Sequence, residues 1–255
     1  VNSKVILITG GTSGIGKAIA ERFAKEGLKV AIIGRTIEKL EQTKRELESA
    51  YSVEILPIQL DVRDYPKVEE MVKLVDKQFG HIDALINNAA GNFICPAEKL
   101  TVNGWNSVID IVLNGTFYCS SVVGNYWIKN KQKGNILNIV ATYAWDAAPG
   151  VIHSAAAKAG VLSMTKTLAV EWGGQYGIRV NAIAPGPIER TGGADKLLLS
   201  TEAANNTLQS IPLKRFGTPE EIAGLASYIL SDEASYLNGE CITMDGGQSL
   251  RQFPF

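Results

Sequence analysis

Lys158 stands four residues after Ser154 and fifteen after Tyr143 in the stretch ATYAWDAAPGVIHSAAAKAGV, residues 141–161. An ammonium beside a hydroxyl favours the ionised oxygen, so these three residue types together suit the holding or moving of a proton. On a helix, Ser154 and Lys158 share a face one turn apart. Tyr143 lies ahead of that helix, so the loop between them must fold back to bring the phenol in. Two plainer readings stand beside this one: Tyr143 as a loop aromatic against Trp145, and Ser154 as a helix cap. His153 invites a general-base reading, but no partner for it is visible, which favours pocket lining or surface. His81, at the start of a strand-like run, lies away from this stretch.

A second set of residues suits an anionic ligand. TGGTSGIG, residues 9–16, follows an apolar run and leads into KAIAERFAKEG. Gly10, Gly14 and Gly16 permit a tight turn and let the backbone approach a pyrophosphate over a helix N-terminus, with Thr12, Ser13 and Ile15 lining the same loop. A strand before it and a helix after it make this turn a dinucleotide site. About 20 residues further on, an acid would hold the 2'-hydroxyl of NAD, but AIIGRT offers Arg35 and Thr36 there. Arginine suits a 2'-phosphate and favours NADP(H); the alternative is a solvated loop cation. Asp61, followed by Val62 in QLDVRD, is either an adenine contact or an ordinary turn acid. NNAAG, residues 87–91, brings Asn88 and Ala89 to a strand end, where small residues let a ribose or nicotinamide approach, or simply build a turn.

Those residues need a scaffold, and the chain supplies an alternation of short β-branched runs with longer helical patterns. Strands are expected at 5–9, 30–33, 54–60, 84–87, 135–140, 179–184 and 240–244, and helices around 15–26, 36–50, 66–79, 103–130, 154–176 and 219–230. Right-handed crossovers then give an α/β fold: a single-domain, Rossmann-type, doubly wound parallel sheet of about seven strands with helices on both faces, spanning residues 1–255. Ligands belong in the crevice outside the carboxyl ends of the strands. Residues 186–218, rich in Gly, Ser, Thr and Pro and without a clear strand, read as a substrate lid.

Bulk properties narrow the classes. With 255 residues, 45% apolar and 20% charged, the chain can bury a continuous core. The formal charge of -1, with acids and bases interspersed, shows no footprint for nucleic acid or membrane. Cys95, Cys119 and Cys241 fit neither a disulfide framework nor a metal site. No targeting segment or membrane-length apolar run is visible, and the reading is cytoplasmic.

Taken together, the motifs resemble the short-chain dehydrogenase/reductase family over nearly the whole chain. TGGTSGIG resembles that family's glycine-rich loop, NNAAG its NNAG element, Asn114 its mid-helix asparagine, and APGPI (184–188), with Pro185, Gly186 and Ile188, its nicotinamide-side segment; MDGG (244–247) closes the match. The resemblance implies a nicotinamide cofactor held by these residues, with Lys158 on the ribose, and a homotetramer. The departure lies in the catalytic pattern, a serine after the fifth strand and then a tyrosine in YxxxK. Here Lys158 fits, but Ser154 occupies the tyrosine position and Ala141 the serine position.

One branch shares this departure, the NADPH-dependent 2,4-dienoyl-CoA reductases. NNAAGNF, DIVLNGT, TYA, SAAAKAGV and PGPI resemble it, and its working tyrosine follows the fifth strand, at Tyr143 here. Asn92 and Phe93 match its substrate-pocket pair and Ser154 its helix serine. The resemblance implies hydride delivery to carbon 5 of a 2,4-dienoyl-CoA in unsaturated fatty acid β-oxidation. Tyr143 and Asn92 then donate to the dienolate oxygen, Lys158 favours phenolate character in Tyr143, and a proton reaches the α-carbon to give a 3-enoyl-CoA. Arg63, Lys196 and Thr101 are expected at the coenzyme A end of this acyl-CoA substrate. The alternatives are a reductase of another enoyl-CoA or a ketone, and an inactive NADP-binding scaffold.

Overall fold

A computed structural model describes residues 3–192 and 201–250. The apolar runs form seven parallel strands: β1 (Val5–Thr9), β2 (Lys29–Gly34), β3 (Ile55–Gln59), β4 (Ala84–Asn87), β5 (Gly134–Ile139), β6 (Ile178–Pro185) and β7 (Cys241–Met244). Their order in the sheet is β3-β2-β1-β4-β5-β6-β7. The chain therefore winds outward from β1 in one direction and then from β4 in the other, and the crossovers diverge between these two neighbours. That divergence opens a crevice at the carboxyl ends of β1 and β4.

Both sheet faces are covered, as continuous apolar strands require. Successive residues of β1 alternate between the two cores. Ile6 and Ile8 pack with Ile19, Phe23, Leu40, Ile222 and Ile229, from helices α1 (Gly14–Lys25), α2 (Ile37–Tyr51) and α8 (Pro219–Leu230). Val5 and Leu7 pack the other way with Met71, Val75, Val123 and Trp127, from α3 (Tyr65–Phe79) and α5 (Gly115–Asn130). The long α6 (Ile152–Tyr176) lies on this second face, with Ala169 in the same core.

Helix α5 continues α4 (Val102–Ile109) through a π-helical turn at Asp110–Asn114. By length and hydropathy the run Val102–Asn130 could cross a membrane, but it docks on the sheet. Trp127 is fully buried and donates through Nε1 to the Ile82 carbonyl at 2.6 Å. Its ring lies where any side chain at Gly134 would stand. Trp172 similarly covers Gly124, which lets α6 approach α5 closely.

The 186–218 segment contains structure that its composition hides. Ile188 bridges to Gly217 in parallel, the Gly217 amide donates to the Pro187 carbonyl at 3.0 Å, and α7 (Thr201–Ser210) lies between. Lys196, assigned to coenzyme A from sequence, falls outside the described residues.

Candidate active site

The crevice is lined first by the β1–α1 turn. Gly10 and Gly14 adopt φ of 68° and 50°, the left-handed region that glycine enters without strain. At Gly16 a Cβ would collide with the Gly10 carbonyl and the Asn88 amide. The loop is therefore a cradle that side chains would fill. Ser13, at the N-cap of α1, makes no side-chain bond to the helix, and no acid lies in its first turn. An anion set there meets free backbone amides and the positive end of the helix. Thr12 approaches Gly34, and Ile15 packs on the first core.

Asn88 clamps this loop to β4. Its Nδ2 donates to the Thr9 and Gly10 carbonyls at 3.0 and 3.1 Å, while the Asn88 and Ala89 amides donate to Thr9 Oγ1, each at 3.0 Å. The NNAAG element thus holds the glycine turn in shape from the adjacent strand. Asn87, one residue earlier, donates to Ser120 Oγ and Asn138 Oδ1 in a buried network.

Arg35 is exposed at the end of β2, beside Thr36, which precedes α2. Asp61, after β3, is engaged by Arg63 in a fork, Nε to Oδ1 at 2.9 Å and Nη2 to Oδ2 at 2.6 Å. That pairing, aided by the charge of Arg35, holds the Asp61 carboxyl below the ordinary range. Arg63 is therefore tied to Asp61 just beyond β3. Val62 is buried, filling the space beside Gly115. Thr101 is exposed and caps α4, its Oγ1 accepting from the Gly104 amide at 3.1 Å.

At the mouth of β5, a 3-10 turn at Thr142–Ala144 directs Tyr143 back over α6. Its hydroxyl lies 3.2 Å from Ser154 Oγ and also bonds the Asn92 side chain. The Asn92 Oδ1 accepts from the Phe93 amide at 2.9 Å, which leaves the amide nitrogen as the donor side. Burial pushes the Tyr143 pKa up, while the bonds from Ser154 and Asn92 draw it down. The phenol accordingly keeps its proton at neutral pH, as a hydrogen-bond donor requires.

Lys158 lies on the same face of α6 as Ser154 but does not join this cluster. Its fully buried ammonium donates to the Ile139 carbonyl at 2.6 Å, and desolvation lowers its pKa to about 8. An ammonium in a dry interior takes a main-chain acceptor of its own, and here that acceptor is Ile139. Across the crevice, the APGPI segment continues from β6. Pro185 is buried, Gly186 donates to the Met244 carbonyl at 3.0 Å, and Ile188 is buried beside Gly217.

The family model for enoyl-(acyl carrier protein) reductase matches residues 10–249. A crystal structure of a short chain dehydrogenase from Bacillus anthracis is 66% identical, covers 98% of each chain and superposes with a TM-score of 0.91. The chain belongs to the short-chain dehydrogenase/reductase family. Within that family, a curated Bacillus subtilis protein named probable 2,4-dienoyl-CoA reductase, (2E)-enoyl-CoA-producing, is 61% identical over all of both chains. The mouse peroxisomal 2,4-dienoyl-CoA reductase, (3E)-enoyl-CoA-producing, is 42% identical over 100% of this chain and 86% of its own.

Against the family's YxxxK pattern the geometry is specific. Ser154 stands where the tyrosine would be, and Tyr143 reaches that hydroxyl from the end of β5. Ile139, the acceptor for Lys158, escaped the sequence reading, and His153, read as pocket lining or surface, is a buried neighbour of Phe93. Neither carries a motif. A main-chain acceptor has no residue signature, and the His153–Phe93 contact joins residues sixty positions apart.

Proposed function

We propose that this chain is an NADPH-dependent 2,4-dienoyl-CoA reductase of unsaturated fatty acid β-oxidation. The observation that carries the reading is the convergence of Ser154 and Asn92 on the hydroxyl of Tyr143, a phenol supplied from outside the YxxxK pattern. The names of the relatives at 61% and 42% identity agree with it.

In ketone reduction the atom that accepts hydride and the oxygen that accepts a proton are one bond apart. In a 2,4-dienoyl thioester they are separated by the conjugated chain, carbon 5 at one end and the thioester oxygen at the other. A phenol moved off the YxxxK position suits the longer separation. The bound nicotinamide supplies a hydride; the chain's own residues do the rest. The Tyr143 hydroxyl and Asn92 amide donate to the oxygen on which negative charge develops, and Ser154 orients the phenol. A proton from water at the α-carbon then leaves a 3-enoyl-CoA, whereas one at carbon 4 leaves the 2-enoyl isomer named for the Bacillus subtilis relative. In this reading the donors serve the thioester oxygen, next to the α-carbon, and the product is the 3-enoyl-CoA.

The cradle at Gly10, Gly14 and Gly16 fits a pyrophosphate, and Lys158 on α6 would hold the nicotinamide ribose. Arg35, exposed beside Asp61, supports NADPH over NADH through a 2'-phosphate. A homotetramer and a cytoplasmic setting belong to the same reading.

The test is an assay of purified protein with NADPH and 2,4-hexadienoyl-CoA, beside 2-hexenoyl-CoA and a simple ketone, with the product double bond placed by NMR. Turnover of the diene above both controls is expected. Turnover of a control without the diene overturns the proposal, and a 2-enoyl product overturns the site of protonation alone.

A further inference from the structure

Among the described residues, His153 is a buried titratable group beside the site to which the reaction gives no task. It is fully buried, at 0% exposure, one residue before Ser154. Its Nδ1 accepts from the Ser154 amide at 2.9 Å, which places the neutral ring's proton on Nε2. That Nε2 is enclosed without a hydrogen-bond partner, an arrangement that native interiors rarely keep without reason.

The ring's other contact supplies the reason. It meets Phe93 edge to face, with centroids 4.4 Å apart and planes at 88°. Phe93 also meets α4, where a Cβ on Gly104 would come within 3.2 Å of its ring tip. The Phe93 amide in turn fixes the Asn92 carboxamide. Five residues thus close a circuit: Tyr143 to Ser154, Ser154 to His153, His153 to Phe93, Phe93 to Asn92, and Asn92 back to Tyr143.

We propose that His153 is a positioning residue, holding Ser154 through Nδ1 and Asn92 through the Phe93 ring so that both converge on the Tyr143 hydroxyl. Asn92 stands on the loop after β4 and Ser154 on α6, and His153 joins the two elements through its contact with Phe93. The imidazole touches no reacting atom. Its effect on turnover rests on the dienoyl-CoA reading; its effect on Tyr143 does not.

Two variants separate the two halves of the role. His153→Phe keeps an aromatic ring against Phe93 and deletes the acceptor for Ser154. His153→Asn keeps an acceptor near the Nδ1 position and deletes the ring. The Tyr143 ionisation is followed without substrate, by NMR of protein labelled at the tyrosine Cζ carbon, with Tyr143→Phe assigning the resonance. Each variant should ionise Tyr143 at higher pH than the parent, because the bonds that draw its pKa down have loosened. With 2,4-hexadienoyl-CoA each should lose about tenfold in kcat, as small misplacements at a reacting centre do, with the KM for NADPH unchanged. If either folded variant titrates Tyr143 as the parent does, His153 only caps the helix and the proposal falls. A parent that titrates as expected but does not reduce the diene overturns the function, while the titration still decides the role of His153.

Discussion

Tyr143 and Ser154 meet hydroxyl to hydroxyl at 3.2 Å, while Lys158, one turn further along the helix that carries Ser154, is turned onto the Ile139 carbonyl. The phenol is therefore governed by neutral hydrogen-bonding groups, and the ammonium is held apart from it.

Tyr143→Phe removes a donor from the site of developing charge and leaves the nucleotide cradle untouched. Turnover of the dienoyl-CoA should fall by about 10²–10³-fold, the cost of losing one such donor. The dissociation constant for NADPH, read by fluorescence titration, should stay as in the parent. Full activity in this variant would sink the assignment of the oxyanion partner.

Lys158 is buried as a cation at a cost. Its proton leaves the folded protein near pH 8, against an ordinary 10.5. Between those values the unfolded chain binds more protons, so stability rises with pH across this window; below it, both states are charged and the burial cost is fully present. The difference corresponds to about 3 kcal/mol. Lys158→Met should accordingly melt higher than the parent at pH 7, by differential scanning calorimetry, while losing turnover. A lower melting temperature would show that the Ile139 bond outweighs desolvation.

Gly16→Ala places a methyl group against the Gly10 carbonyl and the Asn88 amide. The turn must open to admit it, which breaks the clamp on Thr9 and Gly10. Cofactor affinity should fall by at least about tenfold, since the pyrophosphate relies on close approach of the backbone. Isothermal titration with NADPH checks this, and unchanged affinity would remove the cradle from the cofactor site.

Arg35→Ser should lower kcat/KM for NADPH by about 10–100-fold and change the value for NADH little, because a charge-assisted contact to the 2'-phosphate is lost. Arg63→Ala frees Asp61 from its fork and should weaken nucleotide binding, leaving the KM for the CoA ester as it was. The reverse pattern for Arg63 would return it to the coenzyme A end.

The scaffold was legible because parallel strands buried on both faces read as unbroken apolar runs; β1 and β4 match their expected limits, and the others shift by a residue or so. Helix α7, TEAANNTLQS, lacks the apolar stripe that would announce it. Within the site, Tyr143, Ser154 and Asn92 were found through motif order, and the structure brings all three together. The orientation of Lys158 was not legible, since it depends on which acceptor a rotamer reaches. The Asp61–Arg63 fork was hidden for a related reason. Two residues one apart in a loop, with Val62 between them, can each face a ligand or face one another, and only the turn geometry decides.

The π-helical turn at Asp110–Asn114 also fixes how many residues the chain can carry between its two ends of that rod. The wide turn absorbs one extra residue, but an insertion or deletion in the α-helical winding that follows it would rotate everything beyond by about 100°. Trp127 would then swing away from Gly134, and Gly124 from Trp172. Length is thus locked in this stretch more firmly than residue type, and natural insertions and deletions should collect in the loops instead.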